Sequence, residues 1–230
     1  MAIDQLDLAV DEGKVVGLIG PNGSGKTTLF NLISGLFKPG RGEIKFNGKD
    51  ITGLKPHKIC QSGIARTFQL TKTFSHLTTL QNVMVGKAYG SDPVRNMRQI
   101  AEDCERILEF TGLGVKHMSM AGMLSLVDRK RLEIARALAT KPKLLLLDEM
   151  MAGLNLKEME DAIQLIKRIN NSGVTLIVVE HVMKAILEIS SKVIVLSAGQ
   201  KIAEGAPQEV VRNKKVIEAY LGDEEHYVWD

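Results

Sequence analysis

The segment GPNGSGKT, residues 20–27, fits the pattern G-x-x-x-x-G-K-[ST]. A short apolar run, Val15–Ile19, precedes it and is typical of a buried strand. In the segment that follows, residues 27–35, apolar side chains recur at helical spacing. Glycines between a strand and a helix let backbone N–H groups turn inward, and the helix adds its positive end. A flexible surface loop would need neither this strand nor this helix, so the segment predicts a phosphate-binding loop.

The residues of this loop have different expected roles. Lys26 is expected to reach the β and γ oxygens of a bound triphosphate, and the hydroxyl of Thr27 to ligate Mg²⁺. The predicted phosphate-binding residues are Gly20, Asn22, Gly23, Ser24, Gly25, Lys26, Thr27 and Thr28. The loop therefore indicates a nucleoside triphosphate and Mg²⁺ as ligands.

Two further buried strands are predicted to end near polar side chains. The run LLLL, residues 144–147, does not alternate with polar residues, as expected of a strand buried on both faces, and Asp148 and Glu149 follow it. A second apolar run, residues 174–179, ends shortly before His181. Because ligands bind at the carboxyl edge of open α/β sheets, we expect Asp148 to hold Mg²⁺ through water, Glu149 to act as general base and His181 to meet the γ-phosphate. An acidic pair alone is usually a solvated strand end, so the catalytic interpretation depends on the phosphate-binding loop.

Strands and helices are predicted to alternate around these motifs, which favours an α/β fold with a mostly parallel sheet covered on both faces. Residues 43–46, followed by Asn47 and Gly48, predict one arm of a small antiparallel β element. Between residues 80 and 124 β-branched runs are few, and residues 97–110 carry apolar side chains at the spacing of an amphipathic helix. We therefore expect an α-helical subdomain inserted into the α/β chain.

Composition excludes several classes of protein. The chain has 230 residues, 44% hydrophobic and 25% charged, which is ordinary for a globular protein with its own core. A net charge of +3 without a block of basic residues argues against nucleic acid as a partner. The longest aliphatic run, residues 144–147, is far shorter than the ~20 residues that span a bilayer. Cys60 and Cys104 lie too far apart for a metal or redox motif and are expected to be free thiols in a reducing compartment.

The order of phosphate loop, glutamine, signature segment, Asp-Glu pair and histidine resembles the nucleotide-binding subunits of ATP-binding-cassette (ABC) transporters over nearly the whole chain. The resemblance implies a RecA-like P-loop NTPase core. It also implies that Gln69, in the segment ARTFQ, is a catalytic residue and a Mg²⁺ ligand that senses the membrane partner. In the family, the segment matching AGLN, residues 152–155, crosses a dimer interface, which gives Asn155 a place there.

The signature segment departs from the family pattern. Leu-Ser-Gly-Gly-Gln appears here as LSLVD, residues 124–128. In the family this segment caps the γ-phosphate bound by the other subunit, so Ser125 and the N–H of Val127 are expected to donate to it. Asp128 brings a negative charge toward that phosphate. Val127 stands where the family has a glycine, which lets the backbone come close to the phosphate, so its side chain occupies that space. Either the loop shifts slightly and still works, or this half of the site is weakened.

Two other departures concern the loop after the acidic pair and the N-terminal segment. The family's usual proline after Asp-Glu is Met150 here, which changes the rigidity of the turn. The family's adenine-stacking aromatic residue has no counterpart in residues 1–19, which contain no aromatic residue. We therefore expect the chain as given to bind ATP and GTP with similar, weakened affinity.

The subgroup that the chain resembles most is the branched-chain amino acid uptake ATPases. The stretches that carry this resemblance are residues 63–69, 78–86, 132–138, 152–155 and 216–222. The resemblance implies an ATP-hydrolysing importer subunit that forms a homodimer, or a heterodimer with a sibling ATPase, around two ATP molecules. It further implies integral-membrane permease subunits as partners, and a cytoplasmic location, peripheral on the inner face of the cell membrane.

The expected organisation is a single ABC ATPase domain over residues 1–230. Its parts are the nucleotide-binding core, residues 1–70 and 130–205, the helical subdomain, residues 71–129, and a C-terminal helical tail, residues 206–230. Three other functions remain open at this point. They are a low-turnover nucleotide-binding regulatory subunit, a non-transport cassette ATPase, and a small-molecule kinase, which would need an acceptor pocket.

Overall fold

A six-stranded sheet forms the centre of the protein, whose computed structural model describes residues 3–69, 71–92 and 96–221. The strands are β1 (Val15–Ile19), β2 (Lys45–Phe46), β3 (Lys49–Asp50), β4 (Ile64–Arg66), β5 (Leu144–Asp148), β6 (Thr175–Val179), β7 (Lys192–Ser197) and β8 (Gln200–Gly205). The helices are α1 (Lys26–Ile33), α2 (Pro56–Ser62), α3 (Thr79–Tyr89), α4 (Met97–Phe110), α5 (Leu126–Ala139), α6 (Leu156–Asn171), α7 (Met183–Ile189), α8 (Pro207–Val210) and α9 (Lys214–Leu221). Two short 3₁₀ turns, Gly114–Lys116 and Ala121–Met123, precede α5.

The large sheet has the order β4-β5-β6-β1-β7-β8. All neighbouring strands pair in parallel except β7 and β8, which pair antiparallel. Every residue of β1, β5 and β6 is buried, as expected where helices cover both faces. Along β5, Leu145 and Leu147 belong to one apolar core, and Leu144 and Leu146 belong to another. Successive side chains of a strand point to opposite faces, so the sheet separates two cores, and with the small antiparallel pair β2–β3 it confirms the predicted fold class.

Two elements of the α/β part escaped the sequence analysis. Residues 50–67 show a mixed pattern, yet α2 and β4 lie within them. Pro56 opens α2 at a position that needs no N–H, and Gly63 ends it in the left-handed conformation at φ 102°. β4 has only three residues, which is too short for a hydrophobic period to be recognised.

Helix α5 begins at Leu126, because the side chain of Ser125 accepts a hydrogen bond from the N–H of Asp128 and caps the helix. The helix contributes to two cores. Leu132 and Ala135 pack with residues of α3 and α4 in a separate helical core, whereas Ile134 packs in a core of the sheet. Helix α5 therefore joins the parts of the chain that the sequence analysis separates at residue 129.

None of the helices in the described ranges is long and apolar enough to cross a membrane. The predicted C-terminal tail begins with α8 and α9, and its residues 222–230 lie outside the described residues.

Candidate functional site

The phosphate-binding loop connects β1 to α1, and its glycines have conformations that side chains rarely adopt. Gly20, Gly23 and Gly25 have φ angles of 150°, 78° and 107°. A Cβ atom on Gly20 would lie 2.1 Å from the carbonyl oxygen of Leu196 in β7, so only glycine fits there. Among the described residues no side chain caps the N-terminus of α1, and its first turn holds no acidic residue. The first N–H groups of α1 are therefore left to an anion.

Lys26 lies inside this loop. Its ammonium donates to the carbonyl oxygens of Gly20 at 2.7 Å and of Pro21 at 3.0 Å. Burial lowers the pKa of Lys26, while the charges of Glu149 and Asp148 act in the opposite direction. The loop thus holds a buried cation beside the carboxyl end of β5, whereas Thr27 stays exposed.

Asp148, the last residue of β5, is paired with a cation that the sequence analysis did not identify. Arg66 of β4 donates to Asp148 Oδ2 at 2.8 Å, and both side chains are buried. A second guanidinium nitrogen donates to Asn31 Oδ1 on α1 at 2.5 Å. The guanidinium also lies 5.4 Å from the ring centroid of Phe30 and 5.1 Å from that of Phe68. Arg66 therefore fixes Asp148 against α1, the helix that follows the phosphate-binding loop.

Glu149 lies between two of the other predicted site residues. The amide nitrogen of Gln69 donates to Glu149 Oε2 at 2.6 Å, and His181 Nε2 lies 2.9 Å from Glu149 Oε1. An ionised carboxylate only accepts hydrogen bonds, so in this pair Nε2 is the donor. The carboxylate is largely buried, whereas Gln69 and His181 are exposed. The structure thus brings together three polar residues that lie far apart in sequence.

The backbone of Glu149 has a left-handed conformation, with φ 49°. For a residue other than glycine this conformation costs about 1–2 kcal/mol. The N–H of Glu149 donates to the carbonyl oxygen of Val179 in β6 at 2.9 Å, which ties the turn to the neighbouring strand. The turn that follows β5 is therefore strained at the residue whose carboxylate faces Gln69 and His181.

Two buried charged residues contact the turn formed by residues 149–152, and neither was identified from sequence. The ammonium of Lys130 on α5 donates to the carbonyl oxygens of Ala152, Met150 and Glu149, at 2.6, 3.0 and 3.3 Å. From the other side, Glu180 accepts a hydrogen bond from the N–H of Met151 at 2.8 Å.

Burial raises the pKa of Glu180 to about 7, although the Met151 hydrogen bond and the Lys130 charge act in the opposite direction. Burial also lowers the pKa of Lys130, which the charges of Glu180, Glu149 and Glu133 oppose. A buried lysine or glutamate has no recognisable pattern in sequence, because both residue types usually mark an exposed position.

The signature segment lies at the N-terminus of α5, where the hydroxyl of Ser125 is already engaged. Ser125 Oγ donates to Asp128 Oδ2 at 2.7 Å, and Lys116 donates to the same oxygen at 2.6 Å. Burial alone would raise the pKa of Asp128, but the hydrogen bonds from Lys116 and Ser125 outweigh it, and the pKa is lowered. Val127 is half-buried in the first turn of α5. Within this chain the hydroxyl of Ser125, expected to donate to a phosphate, donates to a carboxylate.

Asn155 has a structural contact in addition to its expected place at an interface. Its Oδ1 accepts from the N–H of Glu158 at 3.0 Å, and its own N–H donates to Glu158 Oε2 at 2.9 Å. This reciprocal pair is a capping box that starts α6.

The chain matches two protein-family models. One, described as ABC transporter, matches residues 3–152. The other, described as branched-chain amino acid ATP-binding cassette transporter, matches residues 200–226.

Curated relatives match nearly the full chain. The high-affinity branched-chain amino acid transport ATP-binding protein BraF of Pseudomonas aeruginosa is 37% identical, over 97% of this chain and 92% of the relative. The corresponding protein LivG of Escherichia coli strain K12 is 36% identical, over the same shares.

Solved structures agree with this match. MJ1267, described as an ATP-binding cassette of an ABC transporter in its ADP conformation, has a TM-score of 0.88 and 33% identity, covering 96% of this chain and 93% of that one. A dimeric bacterial ABC transporter cassette, MJ0796, has a TM-score of 0.81 and 27% identity, covering 90% of each chain.

Proposed function

The chain belongs to the ATP-binding cassette family of ABC transporters as an ATPase, and from this premise we propose that it powers the uptake of branched-chain amino acids through a separate membrane permease. The observation that carries the proposal is the hydrogen-bonded row of Gln69, Glu149 and His181, which follow β4, β5 and β6 in turn. The solute class is supported by the relatives named above, which are branched-chain amino acid transport proteins, and by the family model that matches residues 200–226.

In this proposal the phosphate-binding loop holds the triphosphate of ATP. The N–H groups at the start of α1 donate to phosphate oxygens, as helix N-termini commonly do. The ammonium of Lys26, which donates to the carbonyl oxygens of Gly20 and Pro21, turns to the β and γ oxygens. Its buried position makes the ion pair with phosphate strong, because little water screens it.

Three oxygen-bearing side chains would hold Mg²⁺, namely those of Thr27, Gln69 and Asp148. A hydroxyl, an amide oxygen and a carboxylate are the hard donors that Mg²⁺ prefers, so this set fits the ion. The amide nitrogen of Gln69 donates to Glu149, which leaves its amide oxygen for a cation. When bound, Mg²⁺ neutralises charge on the β and γ phosphates. Arg66 keeps Asp148 oriented for this role.

Glu149 acts on the attacking water. Its carboxylate accepts a proton from the water as the water oxygen bonds to the γ-phosphorus, while the bond from that phosphorus to the β–γ bridging oxygen breaks and ADP leaves with the bridging oxygen. A positioned base of this kind accelerates a reaction by about 10²–10⁴-fold. Gln69 and His181 donate to its two oxygens and orient it. Once ATP is present, the exposed His181 turns its N–H from Glu149 to the γ-phosphate, and Gln69 keeps Glu149 oriented.

A second copy of this chain, or a sibling ATPase, completes the site. Ser125 and Val127 at the N-terminus of α5 would face the γ-phosphate held by the other subunit, with Asn155 at the interface. The dimeric cassette MJ0796, a structural relative, supports this arrangement. The alternative that Asp128 favours is a regulatory subunit with low turnover. Such a subunit would not need a general base, whereas here Gln69 and His181 orient the carboxylate of Glu149.

The permease contact is proposed on residues 71–85, which follow Gln69 and include the first half of α3. His76 is exposed there, and Phe74 is 47% exposed. A separate permease can be contacted only through exposed side chains such as these. Through this contact the chain would be held at the inner face of the membrane.

The proposal is tested by uptake into vesicles that contain a branched-chain amino acid permease, with its solute-binding protein outside and ATP inside. Wild-type protein should drive uptake of leucine, isoleucine and valine. The Lys26→Ala variant should drive none, because the bound triphosphate loses its nearest counter-charge. Uptake that is equal with both proteins, or ATP-driven uptake of unrelated solutes alone, would contradict the proposed function.

A further inference from the structure

We propose that Lys130 is a positioning residue for Glu149. By binding three carbonyl oxygens of the turn after β5, its buried ammonium holds the backbone of Glu149 in the left-handed conformation that directs the carboxylate to Gln69 and His181. The inference rests on the proposed function, in which Glu149 is the general base.

The contacts of Lys130 are unusual for a lysine. The residue is only 6% exposed, and its three N–H donors correspond in number to the three carbonyl oxygens of residues 149, 150 and 152. Within the described ranges no carboxylate lies within ion-pair distance of this ammonium. An ammonium is buried only where its lost hydration is replaced, and here the backbone of this turn replaces it.

The turn in return depends on this cation. Three carbonyl dipoles point at one place, and without a positive charge there they would repel one another. The turn also contains a left-handed non-glycine residue, Glu149, and has Met150 where proline would restrict the backbone. The conformation therefore persists because neighbouring groups over-determine it.

The opposite side of the turn is held by β6. The N–H of Glu149 donates to the carbonyl oxygen of Val179, and the N–H of Met151 donates to Glu180. The turn is thus fixed between α5, which supplies Lys130, and β6, which also leads to His181. Replacing Lys130 would remove only the contacts between the turn and α5. The carboxylate of Glu149 would then turn away from Gln69 and His181, while β5 stays in place.

If Lys130 positions Glu149, its replacement should slow the chemical step without weakening ATP binding. Lys130 contacts neither the phosphate-binding loop nor the predicted Mg²⁺ ligands, so ATP binding should be preserved while the chemical step slows. A displacement of about 1 Å at a reacting group can lower the rate about 100-fold.

The experiment measures steady-state ATP hydrolysis by the purified full chain with variants at residue 130. Lys130→Met should lower kcat about 10–100-fold and leave the KM for ATP within about twofold of wild type. Lys130→Arg, which keeps the charge and several donors, should restore most of kcat. Lys58→Met, an exposed lysine on α2, is the matched control and should behave as wild type.

A double variant tests whether Lys130 acts through Glu149. Adding Lys130→Met to Glu149→Gln should change the remaining rate by less than about twofold, because a positioning residue has no effect once its target is gone. A further loss as large as in the wild-type background would overturn the inference, as would a Lys130→Met variant that matches Lys58→Met. If Lys130→Met does not fold, Lys130→Gln takes its place under the same criteria, and failure of both to fold would also overturn it.

The single Glu149→Gln variant separates this inference from the proposed function. Wild-type turnover in that variant would reject Glu149 as the base and the positioning role with it. Loss of turnover in Glu149→Gln together with full activity in Lys130→Met would reject the positioning role alone.

Discussion

At the scale of single residues, three carboxylates at or beside the candidate site lie in different surroundings. Asp148 is paired with Arg66, Glu149 accepts from Gln69 and His181, and Glu180 is buried beneath the turn that joins β5 to α6. The first two are oriented by donors to their oxygens. Burial, in contrast, favours the neutral form of Glu180.

Glu180 should make the stability of the fold depend on pH. The folded protein keeps a proton on Glu180 up to a pKa of about 7, whereas the unfolded chain loses it near the ordinary value of 4.5. The resulting stabilisation is complete below pH 4.5 and is lost as the pH rises to 7. The free energy of unfolding of wild type, relative to that of Glu180→Gln, should therefore fall by roughly 3 kcal/mol across this window.

The measurement is urea unfolding of both proteins at several pH values between 4.5 and 8. Groups other than Glu180 titrate in both proteins, so the difference isolates this carboxyl. A difference that stays constant with pH would contradict the raised pKa.

The sequence predicted the site residues at the ends of strands. It did not predict the buried charged residues that contact Asp148 and the turn after β5. Asp148, Glu149 and His181 stand at the ends of recognisable apolar runs, and the structure brings Glu149 and His181 into contact. Arg66 and Lys130 became recognisable only through their buried contacts, because charged residues usually mark exposed positions. The catalytic roles themselves stay predictions.

At the scale of elements, α5 connects the parts of the site. Its N-terminus carries the signature segment, its second turn carries Lys130, and its apolar side chains pack in two cores. Regular periodicity made some elements predictable, as β1 and α4 have the predicted bounds. Helix α2 and strand β4 were missed because each is short and lacks an apolar period.

Asp128 at the N-terminus of α5 should slow the hydrolysis of the ATP that is held by the other subunit of the dimer. Its carboxylate takes the hydroxyl of Ser125 as donor and places a negative charge where the other subunit's phosphate is expected. Asp128→Asn should raise phosphate release by about two- to tenfold, a gain of roughly 0.4–1.4 kcal/mol in transition-state stabilisation.

The same substitution should lower the thermal stability. It removes an anion from the first turn of α5 and an ion pair with Lys116, together roughly 1 kcal/mol. Glu102→Gln on the exposed side of α4 serves as the control for loss of one surface carboxylate. Turnover that falls in Asp128→Asn at unchanged ATP affinity would show that the carboxylate assists rather than hinders.

The segment before α3 should contact the permease. In a protein whose half-buried Cys60 is replaced by serine, Thr73→Cys and His76→Cys should crosslink to the permease in assembled vesicles. Lys215→Cys on α9, a residue exposed like His76, is the comparison position. Capture from Lys215→Cys without capture from the two positions before α3 would place the contact elsewhere.

At the scale of the whole molecule, the strand order explains why distant segments form one site. In the sheet β5, β6 and β1 are consecutive neighbours, so their carboxyl ends lie side by side. The acidic pair follows the first, His181 follows the second and the phosphate-binding loop follows the third. The sequence alone predicted these three strands and the polar residues at their ends. The order of the strands, which decides that they meet, depends on long-range pairing that no local pattern records.

The central claim is that Glu149 is the base of an ATPase, and phosphate release by Glu149→Gln with ATP and Mg²⁺ tests it most directly. The amide has nearly the shape of the carboxylate but takes no proton from water, so the rate should fall about 10²–10⁴-fold while measured ATP affinity stays close to that of wild type. Glu160→Gln, an exposed residue of α6, should retain full activity as the matched control. Phosphate release by Glu149→Gln at the rate of that control would contradict the account.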